Sequence, residues 1–271
     1  MQFKPNFDLY RDWTDAEHSK SFASNSAYIA VFKSGRKTLV YMCDEHTKNI
    51  SFNMVDMCFA DDFETKPDVL LTEIENADYE RKFSWHGFQD NTLAYAVGVA
   101  AQRNIPVVFA DLSESQMIDV INKGFPDNQI TADILHNKVF RAGGPNPHGD
   151  IYQQMSAYMD KFGRDRFMLE NIAAALNKYD NVFCIFGRGH FEAQRLVLEN
   201  MMGKPEYITR IKNMRGDFSN VKIKPEKLID FKSPVKNKKS AVLSFVKGKS
   251  KVKENTNDKI KTISSKKTER S

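Results

Sequence analysis

Short apolar runs alternate with longer amphipathic segments along most of the chain. The first two runs, 27–32 and 38–43, flank the polar turn Lys33-Ser34-Gly35-Arg36 and predict a β-hairpin. Three further apolar runs predict strands at 69–74, 106–110 and 182–186. From residue 38 onward the pattern therefore alternates between strand and helix.

Helical patterns fill most of the intervals between these strands. They lie at 91–102, at 113–124, at 164–179 and from His190 to about 203–205. The second of these opens with the capping box of Ser113 and Gln116, and Gly124 can close it. This alternation predicts an α/β fold with a mostly parallel central sheet and helices on both faces, whose ligands bind beyond the carboxyl ends of the strands. The Gly- and Pro-rich stretch 141–149, within 125–163, predicts either a lid or a plain surface loop.

Charge divides the chain into two parts. Residues 232–271 hold 13 Lys and Arg against 3 Asp and Glu, a net charge of +10, whereas residues 1–231 hold 27 against 32, a net charge of −5. The lysine-rich part has few large apolar residues, so we expect an α/β domain at 1–231 and a disordered tail at 232–271. The tail either solubilises the chain or binds an anionic partner weakly, such as nucleic acid or an anionic membrane surface.

Signals for a membrane or an oxidising compartment are missing from the sequence. No apolar run approaches the roughly 18 to 20 residues that span a bilayer, and the N-terminal residues lack the apolar core of a signal peptide. The three cysteines, Cys43, Cys58 and Cys184, lack metal-ligand spacing and are typical of small buried side chains in a reducing compartment. These features predict a cytoplasmic location.

Ionisable side chains follow the predicted strands at their carboxyl ends. They are Asp44, Glu45 and His46 after the second strand, Glu73 and Glu75 after the third, Asp111 after the fourth and His190 after the fifth. Because such ends meet at one edge of a parallel sheet, we expect these side chains to line one site. Glu73 most needs a partner, since it interrupts the apolar run 69–74. The glycines of Gly187-Arg188-Gly189 permit the tight turn that presents His190.

Two chemistries are open to these residues. His46 and His190 with Glu73 form a two-histidine, one-carboxylate set, which suits a divalent transition metal with positions open for water. Alternatively the acids, Glu73 or Asp44 among them, supply a general base without a metal. Each histidine alone is equally compatible with a hydrogen-bonded side chain at a strand end.

Arg164 is a candidate cation at the start of the predicted helix 164–179. It lies seven residues before Asn171, so both share one face of the predicted helix 164–179, whereas Arg166 points away from that face. The guanidinium of Arg164 either stabilises a developing oxyanion, binds a substrate carboxylate or phosphate, or forms a salt bridge with a surface acid.

Four segments carry the candidate residues in order along 38–202. They are Asp44-Glu45-His46, Leu70-Leu71-Thr72-Glu73, the helix Arg164-Asp165-Arg166-Phe167-Met168-Leu169-Glu170-Asn171 and Gly187-Arg188-Gly189-His190. Together they resemble the erythromycin-esterase-like, ChaN-like and TraB/Tiki superfamily, with Cys43 standing where the superfamily has a glycine. The resemblance implies one pocket, with Asn171 near it, that is lined by His46, Glu73, Arg164 and His190.

Members of this superfamily include metal-dependent proteases, esterases that open macrolide rings with an activated water, haem-binding proteins and regulators. Our first hypothesis is a hydrolase of ester or amide bonds in a small-molecule or peptide substrate. A divalent metal held by His46, Glu73 and His190, or these residues directly, would activate water. Arg164 would stabilise the developing anion. The predicted catalytic residues are His46, Glu73, Arg164, His190 and Asp44.

The alternative hypothesis is a haem-binding or other ligand-binding module without catalysis. Tyr41, Met42 and His148 are possible axial ligands for haem. The sequence holds no Cys-x-x-Cys-His motif, so covalent attachment of haem is not expected.

Overall fold

A computed structural model of the chain describes residues 2–12, 28–44, 48–61, 63, 65–74, 91–208 and 226–232. The strands of this part are β1 (Tyr28–Ser34), β2 (Lys37–Asp44), β3 (Val69–Thr72), β4 (Val107–Phe109), β5 (Asn181–Gly187) and β6 (Glu206–Ile208). They form one sheet in the order β4-β3-β5-β2-β1-β6. The predicted strands are therefore present, and β6 is an addition that the apolar pattern did not predict.

The sheet is mixed, so the prediction of a mostly parallel sheet is wrong. β4, β3, β5 and β2 are parallel neighbours, whereas β1 pairs antiparallel with β2, and β6 pairs antiparallel with β1. The cause is the tight turn at Gly35 and Arg36, because parallel neighbours need a connection of a dozen or more residues. Gly35 takes a φ of 59°, which a glycine adopts without steric cost.

Helices flank the sheet, which confirms the α/β class. In the described residues they are α1 (Lys48–Cys58), α2 (Thr92–Gln102), α3 (Glu114–Gly124), α4 (Ala132–Ile134), α5 (Ile151–Met159), α6 (Asp165–Lys178) and α7 (Arg188–Met202), with a 3₁₀ turn at Phe7–Leu9 and π-helical turns at Leu135–Val139 and Asp160–Arg164. The predicted capping box of Ser113 and Gln116 opens α3. Gly203 follows α7 with a φ of 89°, as expected of a glycine that ends a helix.

Side chains of the strands alternate between two hydrophobic clusters, one on each face of the sheet. Along β2, Leu39 and Tyr41 pack with residues of α6 and α7, whereas Val40 and Met42 pack with residues of α1 and α2. Successive side chains of a strand point to opposite faces, so both faces of the sheet are buried by helices. This burial on both sides holds the carboxyl ends of β2, β3, β4 and β5 in fixed positions.

A third hydrophobic cluster lies among α3, α4 and α5, and Ile229 and Phe231 of the segment 226–232 pack against it. Within this region α5 continues into α6 through the π-helical turn Asp160–Arg164. A Cβ on Gly163 would lie 3.0 Å from Leu112 and 3.2 Å from Val120, so the turn packs closely against these residues. The stretch 141–150 has no helix or strand, as its Gly and Pro content predicts.

Several sequence predictions lie outside the described residues. These are the positions of Glu45, His46 and Glu75, and the disorder of the tail beyond residue 232. The domain limits 1–231 therefore stay a prediction. Cys43, Cys58 and Cys184 are all buried free cysteines, as predicted. In the described part of the chain, no helix combines the length and the apolar character needed to cross a bilayer.

Candidate active site

The carboxyl ends of four neighbouring strands place ionisable residues at one edge of the sheet. Glu73 directly follows β3, and its backbone N–H donates to Ile185 of β5. Asp111 lies two residues beyond β4, and His190 lies in the first turn of α7, which begins directly after β5. Asp44 ends β2, where it pairs in register with Gly187 and is buried. Glu73, Asp111 and His190 therefore lie at one edge of the sheet, as expected, whereas the positions of Glu45, His46 and Glu75 stay predictions.

Arg164 lies at the centre of this edge and binds three carboxylates, a set that we call the Arg164 cluster. Its Nε and Nη2 donate to the two oxygens of Asp111 at 3.0 and 2.8 Å. Nη2 also donates to Oε1 of Glu73 at 2.5 Å, and Nη1 donates to Oδ1 of Asp160 at 3.4 Å. The bidentate contact with Asp111 fixes the plane of the guanidinium as well as its position.

The π-helical turn puts Arg164 and Asp160 on the inner side of the α5–α6 helix. Such turns insert one residue into a helix and are frequent at functional sites. The side chain of Arg164 is 16% exposed and that of Asp111 is 8% exposed, so the cluster is largely but not fully closed to solvent. Burial alone would lower the pKa of Arg164, but the charges of Asp111 and Glu73 raise it, and the guanidinium stays charged.

His190 lies between two carboxylates. Its Nδ1 is 2.8 Å from Oδ1 of Asp165, and its Nε2 is 3.2 Å from Oε1 of Glu73. Glu73 thus joins His190 to Arg164 through a single carboxylate oxygen. Its other oxygen accepts the backbone N–H of Gly187 at 2.8 Å.

The pKa values of Glu73 and His190 shift in opposite directions. Burial alone would raise the pKa of Glu73, but the charges of His190 and Arg164 hold that pKa well below its usual range. Burial alone would lower the pKa of His190, but the carboxylates of Glu73 and Asp165 raise it well above its ordinary value. Both shifts favour the charged forms of the pair, a carboxylate beside an imidazolium.

A buried polar network supports His190 from behind. Asp165, whose side chain is 2% exposed, accepts hydrogen bonds from the hydroxyl of Tyr10 at 2.6 Å and from the amide of Gln194 at 2.5 Å. The hydroxyl of Tyr41 in turn donates to Gln194 at 3.2 Å. These bonds join the N-terminal segment, β2, α6 and α7, and they fix the carboxylate that holds Nδ1 of His190.

We expect Tyr10→Phe to lower the free energy of unfolding by about 1–2 kcal/mol, because it removes one hydrogen bond to a buried carboxylate. Urea unfolding at pH 7 measures this change. Tyr152→Phe is the control, in a half-buried side chain at the edge of the third hydrophobic cluster, and it should change the stability by less than about 0.5 kcal/mol. Equal stabilities of Tyr10→Phe and the wild type would show that the bond to Asp165 contributes nothing.

Of the five predicted catalytic residues, the structure brings Arg164 and His190 into contact with Glu73. Asp44 reaches the same edge of the sheet, and His46 lies outside the described residues. Other sequence expectations concern α6. Asn171 is buried, but its amide donates to the backbone of Phe167 in its own helix. Arg166 is exposed, as its position on the helix predicts.

Asp160 and Asp165 are the site residues that the sequence reasoning missed. Asp160 precedes Arg164 by four residues, a spacing that places an acid beside a base on a helix, and this was the available signal. Asp165 lies in the segment 164–171, but no spacing or periodicity in the sequence singled it out as a site residue. Its role depends on contacts with Tyr10 and His190, which are 155 and 25 residues away in the chain.

A metal ion is not favoured by the donors that the structure describes. Among the described residues, no group of three or more His, Cys, Asp or Glu side chains is arranged to hold a metal. Both oxygens of Glu73 and both ring nitrogens of His190 already have protein partners, and the guanidinium of Arg164 lies where a cation would neutralise the acids. The described donors therefore do not fit a bound metal. The three-ligand site that includes His46 stays a prediction.

The residues proposed as haem ligands lie in three separate places. Tyr41 and Met42 are 0% exposed and pack in the clusters on opposite faces of the sheet, and His148 is exposed in the stretch 141–150. Haem binding therefore stays a prediction without support from these side chains.

We compared the chain with protein-family models, with curated proteins and with solved structures, and none of the three comparisons found a match. The resemblance to the erythromycin-esterase-like, ChaN-like and TraB/Tiki superfamily accordingly stays a hypothesis based on the four sequence segments.

Proposed function

We propose that this chain hydrolyses an ester or amide bond of a small-molecule or peptide substrate at the edge formed by Glu73, Arg164 and His190. The observation that carries this proposal is the continuous set of contacts from Asp165 through His190 and Glu73 to Arg164. The side chains of His190, Glu73 and Arg164 are each 11–16% exposed. A proton donor and a fixed cation therefore lie together, and each keeps part of its side chain exposed to solvent.

His190 serves as the proton donor in this proposal. Both ring nitrogens face carboxylates, which favours the doubly protonated ring and raises its pKa, so the ring is placed to give up a proton rather than to accept one. The bond of Nδ1 to Asp165 is 2.8 Å long, whereas Nε2 is 3.2 Å from Glu73. Asp165 therefore holds the ring, and the longer contact leaves the Nε2 proton as the one that is transferred to the leaving group.

Arg164 stabilises the negative charge that develops on the carbonyl oxygen. A fixed cation in a largely closed site stabilises such charge without reorganisation during the reaction. The carboxylates of Asp111 and Glu73 hold the guanidinium in place through three hydrogen bonds. Glu73 has two functions here: it orients Arg164, and it raises the pKa of His190.

The test is hydrolysis of p-nitrophenyl esters and peptide p-nitroanilides, with and without a chelator, by the full chain and two variants. His190→Gln removes the proton donor and should lower kcat about 100-fold. His148→Gln alters an exposed histidine and should leave kcat within about threefold of the wild type. Equal rates for His190→Gln and His148→Gln, or no hydrolysis by the wild type, would overturn the proposal. Loss of activity with the chelator would restore the metal hypothesis.

A further inference from the structure

Four carboxylates surround Arg164 and His190, and three of them have protein donors on both oxygens. Glu73 accepts from Arg164, His190 and the backbone of Gly187. Asp165 accepts from Tyr10, Gln194 and His190. Such carboxylates are occupied in positioning other groups.

Asp111 is the third of these. Its Oδ2 accepts from Nη2 of Arg164, and its Oδ1 accepts from Nε of Arg164 and from the backbone N–H of Leu112 at 2.8 Å. Both oxygens of Asp111 therefore already accept hydrogen bonds from the protein.

Asp160 differs from the other three. Its single hydrogen bond in the described part of the chain is the 3.4 Å contact between Oδ1 and Nη1 of Arg164, a length at the outer limit for such a bond. Oδ2 accepts no hydrogen bond from the described residues, and the side chain of Asp160 is 14% exposed to solvent. This carboxylate oxygen is therefore available to a molecule that enters the site.

The Nη1 group of Arg164 offers the complementary donor. A guanidinium carries five N–H donors. Nε and Nη2 use theirs on Asp111 and Glu73, whereas Nη1 makes only the long contact with Asp160 within the described residues. One N–H of Nη1 and Oδ2 of Asp160 thus form an adjacent donor and acceptor that the described protein groups leave open.

We infer that Asp160 is the catalytic residue that accepts a proton from the attacking water, while Nη1 of Arg164 binds the carbonyl oxygen of the substrate. The inference rests on the proposed function. It supplies a base separate from His190, because both ring nitrogens of His190 already face the carboxylates of Asp165 and Glu73.

The reaction balances with these groups. The water oxygen forms a bond to the carbonyl carbon as one water proton passes to Oδ2 of Asp160. The bond from that carbon to the leaving oxygen or nitrogen then breaks, and the leaving atom takes the Nε2 proton of His190. An acid and an alcohol or amine are released. The proton on Asp160 then returns to His190 or to solvent, and both groups regain their starting states.

The surroundings of Asp160 suit this role. Burial raises its pKa to about 6, in spite of the opposing charge of Arg164, which puts the carboxylate near the pH at which a general base works best. The charges that shift the pKa of Asp160 are those of Arg164, His190, Asp165 and Asp111. Asp160 in turn raises the pKa of Tyr10.

The test uses the same chromogenic substrates on the full chain. Asp160→Asn keeps the shape of the side chain and should lower kcat about 100-fold with KM within about threefold. The rise of kcat/KM between pH 5 and pH 7 should be present in the wild type and absent in Asp160→Asn. Added formate should restore part of kcat to Asp160→Ala, because formate supplies the missing carboxylate. Asp127→Asn, at an exposed acid, is the control that should match the wild type.

The possible outcomes are distinct. If the wild type hydrolyses the substrates and Asp160→Asn keeps its kcat, the role of Asp160 is wrong and the proposed function stands. If kcat falls but formate gives no rescue and the pH profile is unchanged, Asp160 is a positioning residue and the inference fails. If the wild type hydrolyses none of the substrates, the proposed function and this inference fail together. The wild-type pH profile needs no variant to fold, and a flat profile between pH 5 and pH 7 would also overturn the inference.

Discussion

Arg164→Met should lower the free energy of unfolding at pH 7 by about 3–5 kcal/mol, the usual cost of removing one partner from a buried ion pair. Methionine keeps much of the length of the side chain but removes the charge and all five donors. Glu73, Asp111 and Asp160 would then face one another without the guanidinium that binds them at 2.5, 2.8 and 3.4 Å. Their mutual repulsion adds to the cost of keeping each carboxylate out of water.

Urea unfolding at pH 7 and pH 5 measures this loss. Arg166→Met is the matched control, because Arg166 is two residues away and its side chain is 47% exposed in a surface pair with Glu170. We expect a change of less than about 0.5 kcal/mol for this control. The deficit of Arg164→Met should shrink at pH 5, because carboxylates without their cation take up protons more readily in the folded state. A loss below about 1 kcal/mol at pH 7 would contradict the central position of Arg164.

Residues at strand ends were predictable from the sequence because the apolar runs mark where each strand stops. Glu73 interrupts the end of the run 69–74, Asp111 directly follows the run 106–110, and His190 follows the run 182–186 after a short glycine-rich stretch. The parallel pairing of β3 with β4 and β5 then brings all three to one edge. Two facts thus sufficed for this half of the site: the ends of the strands and their common direction.

The other half depends on geometry that local patterns carry only in part, through the four-residue spacing of Asp160 and Arg164. The π-helical turn Asp160–Arg164 changes which side chains of the α5–α6 helix face the sheet. Asp165 holds His190 only because Tyr10 and Gln194 bind it from distant parts of the chain. Such pairings between remote segments form when the three layers pack, so spacing along the sequence does not reveal them.

The arrangement of strands shows the same division. The hairpin of β1 and β2 was predictable from its apolar runs and its turn, and its antiparallel pairing is what makes the sheet mixed. The strand β6 was not predictable. It has only three residues, Glu206, Tyr207 and Ile208, and their side chains are exposed or half-buried. A segment this short has no periodicity of its own and becomes a strand only by pairing with β1.

Asp160→Asn should raise the free energy of unfolding at pH 7 by about 2–3 kcal/mol, although it should abolish the proposed proton acceptor. The pKa of Asp160 is about 6 in the folded protein and about 3.9 in an unfolded chain. A carboxyl whose folded pKa is raised binds its proton more tightly when folded. Its contribution to stability is therefore fully present below about pH 4 and is lost as the pH rises through 6. Asparagine carries no charge and avoids this loss.

Urea unfolding at pH 4 and pH 7 separates this effect from any change in packing. The advantage of Asp160→Asn over the wild type should be small at pH 4, where Asp160 is protonated when folded, and close to its full size at pH 7. Asp165→Asn is the matched control with the opposite sign. Its carboxylate, 2.8 Å from Nδ1 of His190 and bound by Tyr10 and Gln194, holds a charged partner in place, so its removal should destabilise the protein at pH 7. If both variants lost stability at pH 7, Asp160 would be one more structural acid of the Arg164 cluster. A gain in Asp160→Asn alone would identify it as the one carboxylate kept at a cost to stability, the trade-off expected of a catalytic group.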